Sequence, residues 1–451
     1  MEKLRNYLRL LAFFLLFLGY STQAQQPIDL KSAMKYTVDH HASVKKAKIE
    51  IAKGEALVRE SLSSGLPQVS FGTNIINNLA VRTSFVPAEF FGGQPGDFAK
   101  VQFGTNWNAS AGLQLDQMLF NKQWLLGVRA SREVTSFYQL VLEKNKDQVV
   151  AEVAKLYYQI QLSRTQRGIL DANIGQINGL MSVTEKQYQN GFAKKIDVDR
   201  LRVQASNLEV QIVNLDLQIK QAEQALKFAM NMPLETEIVL TDTISEMGFD
   251  AVNSAIAQPG YGMKPDLLIL KKQQELYQLD IDRWKASYFP TLSFFGSYNY
   301  EWQANNLSEI KNSNFWTDFS QVGIRLNVPI FDGFFKKSQL QTAQLNLKLT
   351  GEDYNFAKLG LHLNHEAAIT SFKSNQNTLR SIVETRKVAE DVYRIAQSRY
   401  KEGLAPITEL LDAETSLRQT QSNYITTLAQ IKLAEIEILS ANGLLLRMIE
   451  Q

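Results

Sequence analysis

From Val198 to Ala229 the apolar positions fall at Val198, Leu201, Ala205, Leu208, Ile212, Leu215, Ile219, Ala222, Leu226 and Ala229, in alternating steps of three and four. That is a heptad seam, which holds one stripe of a helix against one partner over many turns. The same register recurs at Leu410, Ala413, Leu417, Thr420, Tyr424, Thr427, Ile431, Ala434, Ile438 and Ala441, with several smaller or more polar members. A second stripe at Val203, Val210 and Leu217 predicts a neighbour on another side, as helices closing into a ring require. The segments from about Gln123 to Asn190 and from about Lys336 to Glu402 contain no proline and are rich in Ala, Leu, Lys, Glu and Gln. Each is predicted to run as one helix of about 100 Å at about 1.5 Å per residue. A rod of that length needs a partner along its whole extent. Helices near residues 30–64 and 197–231, and near 265–288 and 408–443, supply it when stacked end to end, giving a cylinder of paired helices.

Elsewhere the period drops to two. From Phe103 to Leu119 the odd positions run Phe103, Thr105, Trp107, Ala109, Ala111, Leu113 and Leu115, while the even ones run through Gly, Asn, Ser, Gln and Asp to Asp116. Similar alternation occurs at Val69, Phe71, Thr73, Ile75; at Leu292, Phe294, Tyr298, Tyr300, Trp302; and at Val322, Ile324, Leu326, Val328. Strands of about ten residues with aromatics near their ends resemble those of outer-membrane barrels, their apolar side toward lipid. Strand patterning alone equally allows a soluble sandwich layer with one wet face. Four strands cannot close a barrel wide enough for a pore, so the barrel reading requires several chains to share one sheet. The stretches from about Leu79 to Lys100 and from Gln303 to Asp318 read as exposed loops on one side of it.

The chain is a duplication. YQNGFAKKIDV at 188–198 matches YKEGLAPITEL at 400–410 at an offset of 212 (400 minus 188), and GLQLDQMLFN at 112–121 matches GIRLNVPIFD at 323–332 at 211. A third pair, LPQVSFG around Pro67 and FPTLSFFG around Pro290, keeps the same order. These spacings far exceed solenoid periods and mark two copies of one large module. The expected organisation is a signal peptide over 1–24, a first repeat over 25–231, an irregular connector over 232–264 and a second repeat over 265–451. Each repeat reads as helix, strand, loop, strand, very long helix, tight turn, shorter helix. The turns fall on Asn190-Gly191 and Glu402-Gly403, where glycine takes positive φ at little steric cost.

Composition changes the picture in two ways. Lys3, Arg5 and Arg9, an apolar run to Leu18 and small residues before Gln25 have the layout of a secretory signal peptide. That run is too short to cross a bilayer as a helix, and no later stretch approaches the needed length. With Cys 0, an exported chain must be held by packing, not disulfides, and has no thiol for lipid attachment. Lys+Arg 48 against Asp+Glu 46, both interspersed, argues against nucleic acid as a partner.

Taken together, these residues resemble the TolC family of outer membrane efflux proteins over roughly residues 28–445. The marks are the paired Tyr-x-x-Gly turns with an acid six positions after the glycine, Pro329 to Gly333 (PIFDG), Lys264-Pro265-Asp266-Leu267, and Pro290 to Ser293. The resemblance implies a mainly α chain with β strands, forming a homotrimeric α-helical barrel, a coiled-coil tunnel in the periplasm, under a shared transmembrane β-barrel with four strands per protomer. It implies an exit channel of a tripartite efflux or type I secretion system, passive and not an enzyme, in the outer membrane. The implied partners are a periplasmic adaptor, an inner-membrane pump or ABC secretion ATPase, and outer-membrane lipid. It also implies a gate ring at the periplasmic mouth from Glu409 and Asp412, and adaptor docking at the tips through Tyr188, Gly191, Phe192, Asp197, Tyr400, Gly403 and Leu404. Position 405, where some members place an arginine of the closing network, is Ala405, so the closed state is expected to be latched differently.

The residues alone leave alternatives open. Acids in a helix's first turn also simply complement its dipole. A non-channel envelope coiled coil or a periplasmic adaptor would carry similar helices, although an adaptor would show one hairpin rather than two tandem modules. His362 and His365 lie three apart beside Glu366 but lack further ligand candidates nearby, so they read as packed or solvated, and no metal or cofactor is assigned. No phosphate loop, nucleophile elbow or zincin pattern occurs. What passes through the channel is not written in the sequence.

Overall fold

The computed structural model describes residues 26–242, 250–257, 260, 262 and 264–450. The signal peptide expected over residues 1–24 lies outside the described residues. In chain order the elements are β1 (Gln26–Ile28), α1 (Leu30–His40), α2 (Ala42–Ser63), β2 (Gln68–Asn77), β3 (Thr83–Pro87), β4 (Phe98–Gln102), β5 (Trp107–Phe120), α3 (Lys122–Gln189), α4 (Lys195–Ala229), β6 (Ile238–Leu240), α5 (Asp250–Ala257), α6 (Pro265–Ala286), β7 (Thr291–Ala304), β8 (Trp316–Asn327), α7 (Phe335–Lys401), α8 (Ile407–Ala441) and α9 (Leu445–Glu450). The two long helices span 68 and 67 residues, within one residue of the proline-free stretches that predict them.

The fold divides into two compact units, each assembled from parts of both sequence repeats. One comprises Met1–Ile49, Gln139–Leu270 and Asp353–Gln451; the other comprises Glu50–Tyr138 and Lys271–Glu352.

In the first unit the heptad seams are the core. Val198, Leu201, Ala205, Leu208 and Leu215 of α4 are buried, as are Leu410, Ala413, Leu417, Tyr424, Ile431 and Ile438 of α8. They meet α3 through Leu170, Ile177 and Leu180 and α7 through Tyr393, Ala396 and Tyr400. A larger cluster around Met34, Tyr157, Ile160, Leu226, Met230 and Phe372 draws in the chain's first described strand. Here β1 pairs in parallel with β6, Tyr157 donates its hydroxyl to the Ile28 carbonyl at 3.1 Å, and the Leu30 N–H donates to Asp242 at 2.8 Å. The segment expected as an irregular connector therefore contributes a strand and a short helix, because these pairings satisfy backbone groups that burial would otherwise leave orphaned. The second stripe on α4, Val203, Val210 and Leu217, is exposed in the single chain.

In the second unit the four alternating segments form one antiparallel sheet in the order β2-β5-β7-β8. The register aligns the apolar positions into rows, Val69, Leu115, Gly296 and Val322 in one and Phe71, Leu113, Tyr298 and Ser320 in the next. One face is therefore mainly apolar, with Val69, Phe71, Leu113, Val322, Ile324 and Leu326 all exposed, while its loop end at Ala109 and Trp302 is buried.

Three expectations need correction here. The strand over 103–119 starts at Trp107, since Asn78 N–H donates to the Asn106 carbonyl and Phe103 N–H to Arg82, closing a loop base. The stretch read as a loop from Leu79 carries its own hairpin, β3 with β4. Trp302, expected toward lipid, is 0% exposed. The β7–β8 loop folds over it, taking its indole N–H on the Glu309 carbonyl at 3.2 Å, while Trp316 donates to Ile310 at 2.8 Å. An indole carries a donor that hydrocarbon cannot satisfy, so a nearby carbonyl wins.

Candidate channel mouth at the hairpin tips

Both hairpin turns close in the same way. Gly191 and Gly403 sit at φ 78 and 76, and the paired bonds Phe192 N–H to Gln187 and Gly191 N–H to Tyr188 recur as Leu404 N–H to Arg399 and Gly403 N–H to Tyr400. This is the Schellman arrangement, in which a left-handed glycine lets the last helical carbonyls be satisfied. It sets the residue after each glycine outside the helix, and these are Phe192 and Leu404, 86% and 66% exposed. Phe192, Asp197, Tyr400, Gly403 and Leu404 line one open trough of about 780 Å³. Tyr188 and Gly191 belong to the turn but do not line it.

The two tyrosines have diverged. Tyr400 is buried and shares a 3.1 Å hydrogen bond with the Thr184 hydroxyl of the other hairpin, so it braces the two turns together, while Tyr188 is exposed. Burial pushes the Tyr400 phenol up, with the Thr184 bond opposing.

The paired acids have diverged too, for a reason visible in the backbone. Asp197 accepts the Lys194 N–H at 3.3 Å, satisfying the backbone donor of the N-cap at the start of α4. The matching N-cap of α8 is Pro406, which has no N–H to give. Glu409 therefore turns to Arg399 on the last turn of α7, at 2.5 Å. Arg399 was not singled out from the sequence; its signal was position alone, an arginine one residue before the turn tyrosine where the first repeat has Gln187. Asp412, three residues further along α8, is exposed and has no ion pair among the described residues. The two gate candidates thus differ: one is compensated, one is not.

A further acid emerged only in the structure. Glu414 is buried where α8 faces α4, accepting the Gln204 amide at 2.8 Å, with Arg418 at 3.7 Å. Burial pushes its carboxyl above the ordinary 4.5, against the pull of Arg418 and Gln204. Between 4.5 and that raised value the folded chain holds a proton that the unfolded chain has released. The stability this confers is full below the ordinary value and is lost as pH rises through the raised one. Glu414→Gln, neutral throughout, is expected to raise the unfolding midpoint at about pH 7 relative to that at about pH 4, compared with the wild type. An unchanged gap between the two midpoints would remove Glu414 from the pH response.

Among the described residues no group of His, Cys, Asp or Glu is arranged to hold a metal ion, and no helix is long and apolar enough to cross a membrane.

The family model described as Outer membrane efflux protein matches residues 36–232 and 262–444. Outer membrane protein TolC of Vibrio cholerae serotype O1 is 18% identical over 351 residues, 74% of this chain and 79% of that protein. Nodulation protein T of Rhizobium leguminosarum bv. trifolii is 21% identical over 279 residues, 61% of this chain and 58% of that protein. Among solved structures, the outer membrane protein VceC from Vibrio cholerae matches with a TM-score of 0.72 at 16% identity, over 92% of this chain and 96% of that one. The Campylobacter jejuni CmeC outer membrane channel matches at 0.71 and 14% identity, over 92% and 86%. At such identities the structures carry the fold, mainly helical with a small antiparallel sheet. The family match spans most of the chain in two stretches, one in each half, and the chain belongs to the outer membrane efflux protein family.

Proposed function

We propose that three copies of this chain pool their sheets into one twelve-stranded barrel, three times four, and their long helices into a periplasmic tunnel. The family is one of outer-membrane efflux channels rather than enzymes, so the chain resides in the outer membrane and serves as the exit duct of an efflux system. The observation that supports the shared barrel best is the sheet: a mainly exposed apolar face, a polar opposite face, and two edge strands, β2 and β8, whose outer edges have no partner among the described residues. An unpaired edge beside lipid is untenable, because its N–H and C=O groups have no water to meet, so each edge calls for the opposite edge of another copy. The exposed stripe Val203, Val210 and Leu217 gives the helices a matching surface for a neighbour.

At the hairpin tips, Phe192 and Leu404 offer two exposed apolar anchors beside the trough, the kind of feature that dominates a docking surface. We assign adaptor docking to this tip, with Tyr188, Gly191, Asp197, Tyr400 and Gly403 shaping the turns, and the periplasmic gate ring to Glu409 and Asp412. The adaptor would connect the tip to an inner-membrane pump or secretion ATPase, which selects the cargo. Purified protein added to a planar bilayer is expected to conduct ions as a trimer. A monomeric species, or a trimer that leaves the bilayer silent, would overturn the reading.

A further inference from the structure

The polar face of the sheet carries one feature that a merely wet wall does not need. Its residues alternate with the apolar rows: Gln68, Ser70, Gly72 and Asn74 on β2; Asn108, Ser110, Gly112, Gln114 and Asp116 on β5; Ser293, Phe295, Ser297, Asn299 and Glu301 on β7; Thr317, Phe319, Gln321, Gly323 and Arg325 on β8. Arg325 is the only basic residue among them. Its guanidinium lies 4.8 Å from the centroid of the Phe295 ring, and the ring in turn lies across Gly323, where an added Cβ would meet it at 2.7 Å. Glycine at 323 thus leaves room for the end of the ring, which stays beside the guanidinium.

Arg325 is exposed and has no ion pair among the described residues. The acids on the same face are Asp116 and Glu301. Asp116 is two strands away, about 10 Å at the usual strand spacing, and is engaged by the Gln114 amide at 2.7 Å. In a shared barrel the strand brought beside β8 is a neighbour's β2, whose polar positions are Gln, Ser, Gly and Asn. None of these neutralises a guanidinium. The charge is held against the Phe295 ring, without an ion pair among the described residues, beside a shallow trough of about 360 Å³ lined by Ser70, Ser297, Asn299 and Gln321.

We propose that Arg325, positioned by Phe295, is a binding station in the channel lumen for carboxylate-bearing solutes. A guanidinium stacked by its face keeps its N–H fork free at the edge, and that fork matches the two oxygens of a carboxylate. In a lumen otherwise lined with acids and neutral amides, a station of this kind lets organic anions enter a duct whose remaining charge repels them. The inference rests on the proposal that the polar face lines the lumen.

The test is current through purified protein in a planar bilayer, with benzoate as probe and benzyl alcohol as uncharged control. Benzoate is expected to block the wild-type current at about tenfold lower concentration than it blocks R325Q, the scale of a lost charge-assisted hydrogen bond. Benzyl alcohol is expected to leave both alike. F295L keeps the charge but frees the side chain, and is expected to fall between them. In a salt gradient, R325Q shifts the reversal potential toward cations. Equal benzoate block in wild type and R325Q, with both conducting, would sink the station while sparing the channel. Silent bilayers from wild-type trimer would sink the lumen reading and this inference with it.

Discussion

Glu409→Ala with Asp412→Ala is expected to weaken block by divalent cations roughly tenfold and to shift selectivity away from cations, since a charged constriction changes local ion concentration by about that much or more. In a trimer the mouth would hold six carboxylates and, through the Arg399–Glu409 pairs, three guanidinium groups. The pair is 2.5 Å long, but its side chains are 49% and 40% exposed, so water and salt screen it and its contribution to stability is at most about 1 kcal/mol. A contact this weak would set the charge of the proposed mouth more than hold it shut. Asp412, which carries no such compensation, is therefore expected to account for most of the divalent block. Arg399→Ala has the opposite sign from the double acid variant: uncovering Glu409 should strengthen divalent block. Currents and block unchanged in both variants would remove the ring from the tip.

The sequence made α4 and α8 legible because a seam of ten positions without a slip has little alternative reading, and the structure buries most of those positions; the two long helices were legible as proline-free stretches. The strands were legible for a similar reason, since alternation over ten residues fixes which side chains share a face once register is known. What escaped were pairings that depend on distance in space. No periodicity announces that residues 238–240 lie beside residues 26–28, or that a loop closes over Trp302. The tip shows both cases at once. Glycine at positive φ was readable at 191 and 403 because only local backbone is involved. The role of Arg399 was not, because it follows from Pro406 lacking the N–H that engages the acid in the other repeat. Duplication predicts equivalence, and single substitutions at the caps are what break it.

The KPDL run shows how a family mark can be a packing requirement. Lys264 is buried and donates to Asp147 of α3 at 2.9 Å and to Ser440 of α8 at 3.3 Å, just as α6 begins at Pro265. One turn earlier on α3, Lys144 reaches back to Asp266 at 2.8 Å. The two pairs are of reversed polarity, which fixes the register of the α6 start against α3, since a slip of one turn would place like charges together.

Their energetic weights differ because their surroundings do. Lys144 and Asp266 are each about one third exposed, so Lys144→Ala is expected to lower stability by less than about 1 kcal/mol. Asp147 and Lys264 are almost entirely enclosed, and one Asp147 oxygen has no hydrogen-bond partner, so the pair is already incompletely satisfied. Asp147→Ala would leave an ammonium in that enclosure with only the Ser440 hydroxyl, and is expected to cost about 3–5 kcal/mol of unfolding free energy, read as a fall in the denaturant midpoint of the purified protein. Asp147→Leu with Lys264→Met removes both charges and fills similar volume, and is expected to restore most of that loss, because the desolvation penalty disappears along with the attraction. If the double variant were as unstable as the single one, the pair would matter through the shape of its site rather than its charge, and the register argument for Lys264 would fall.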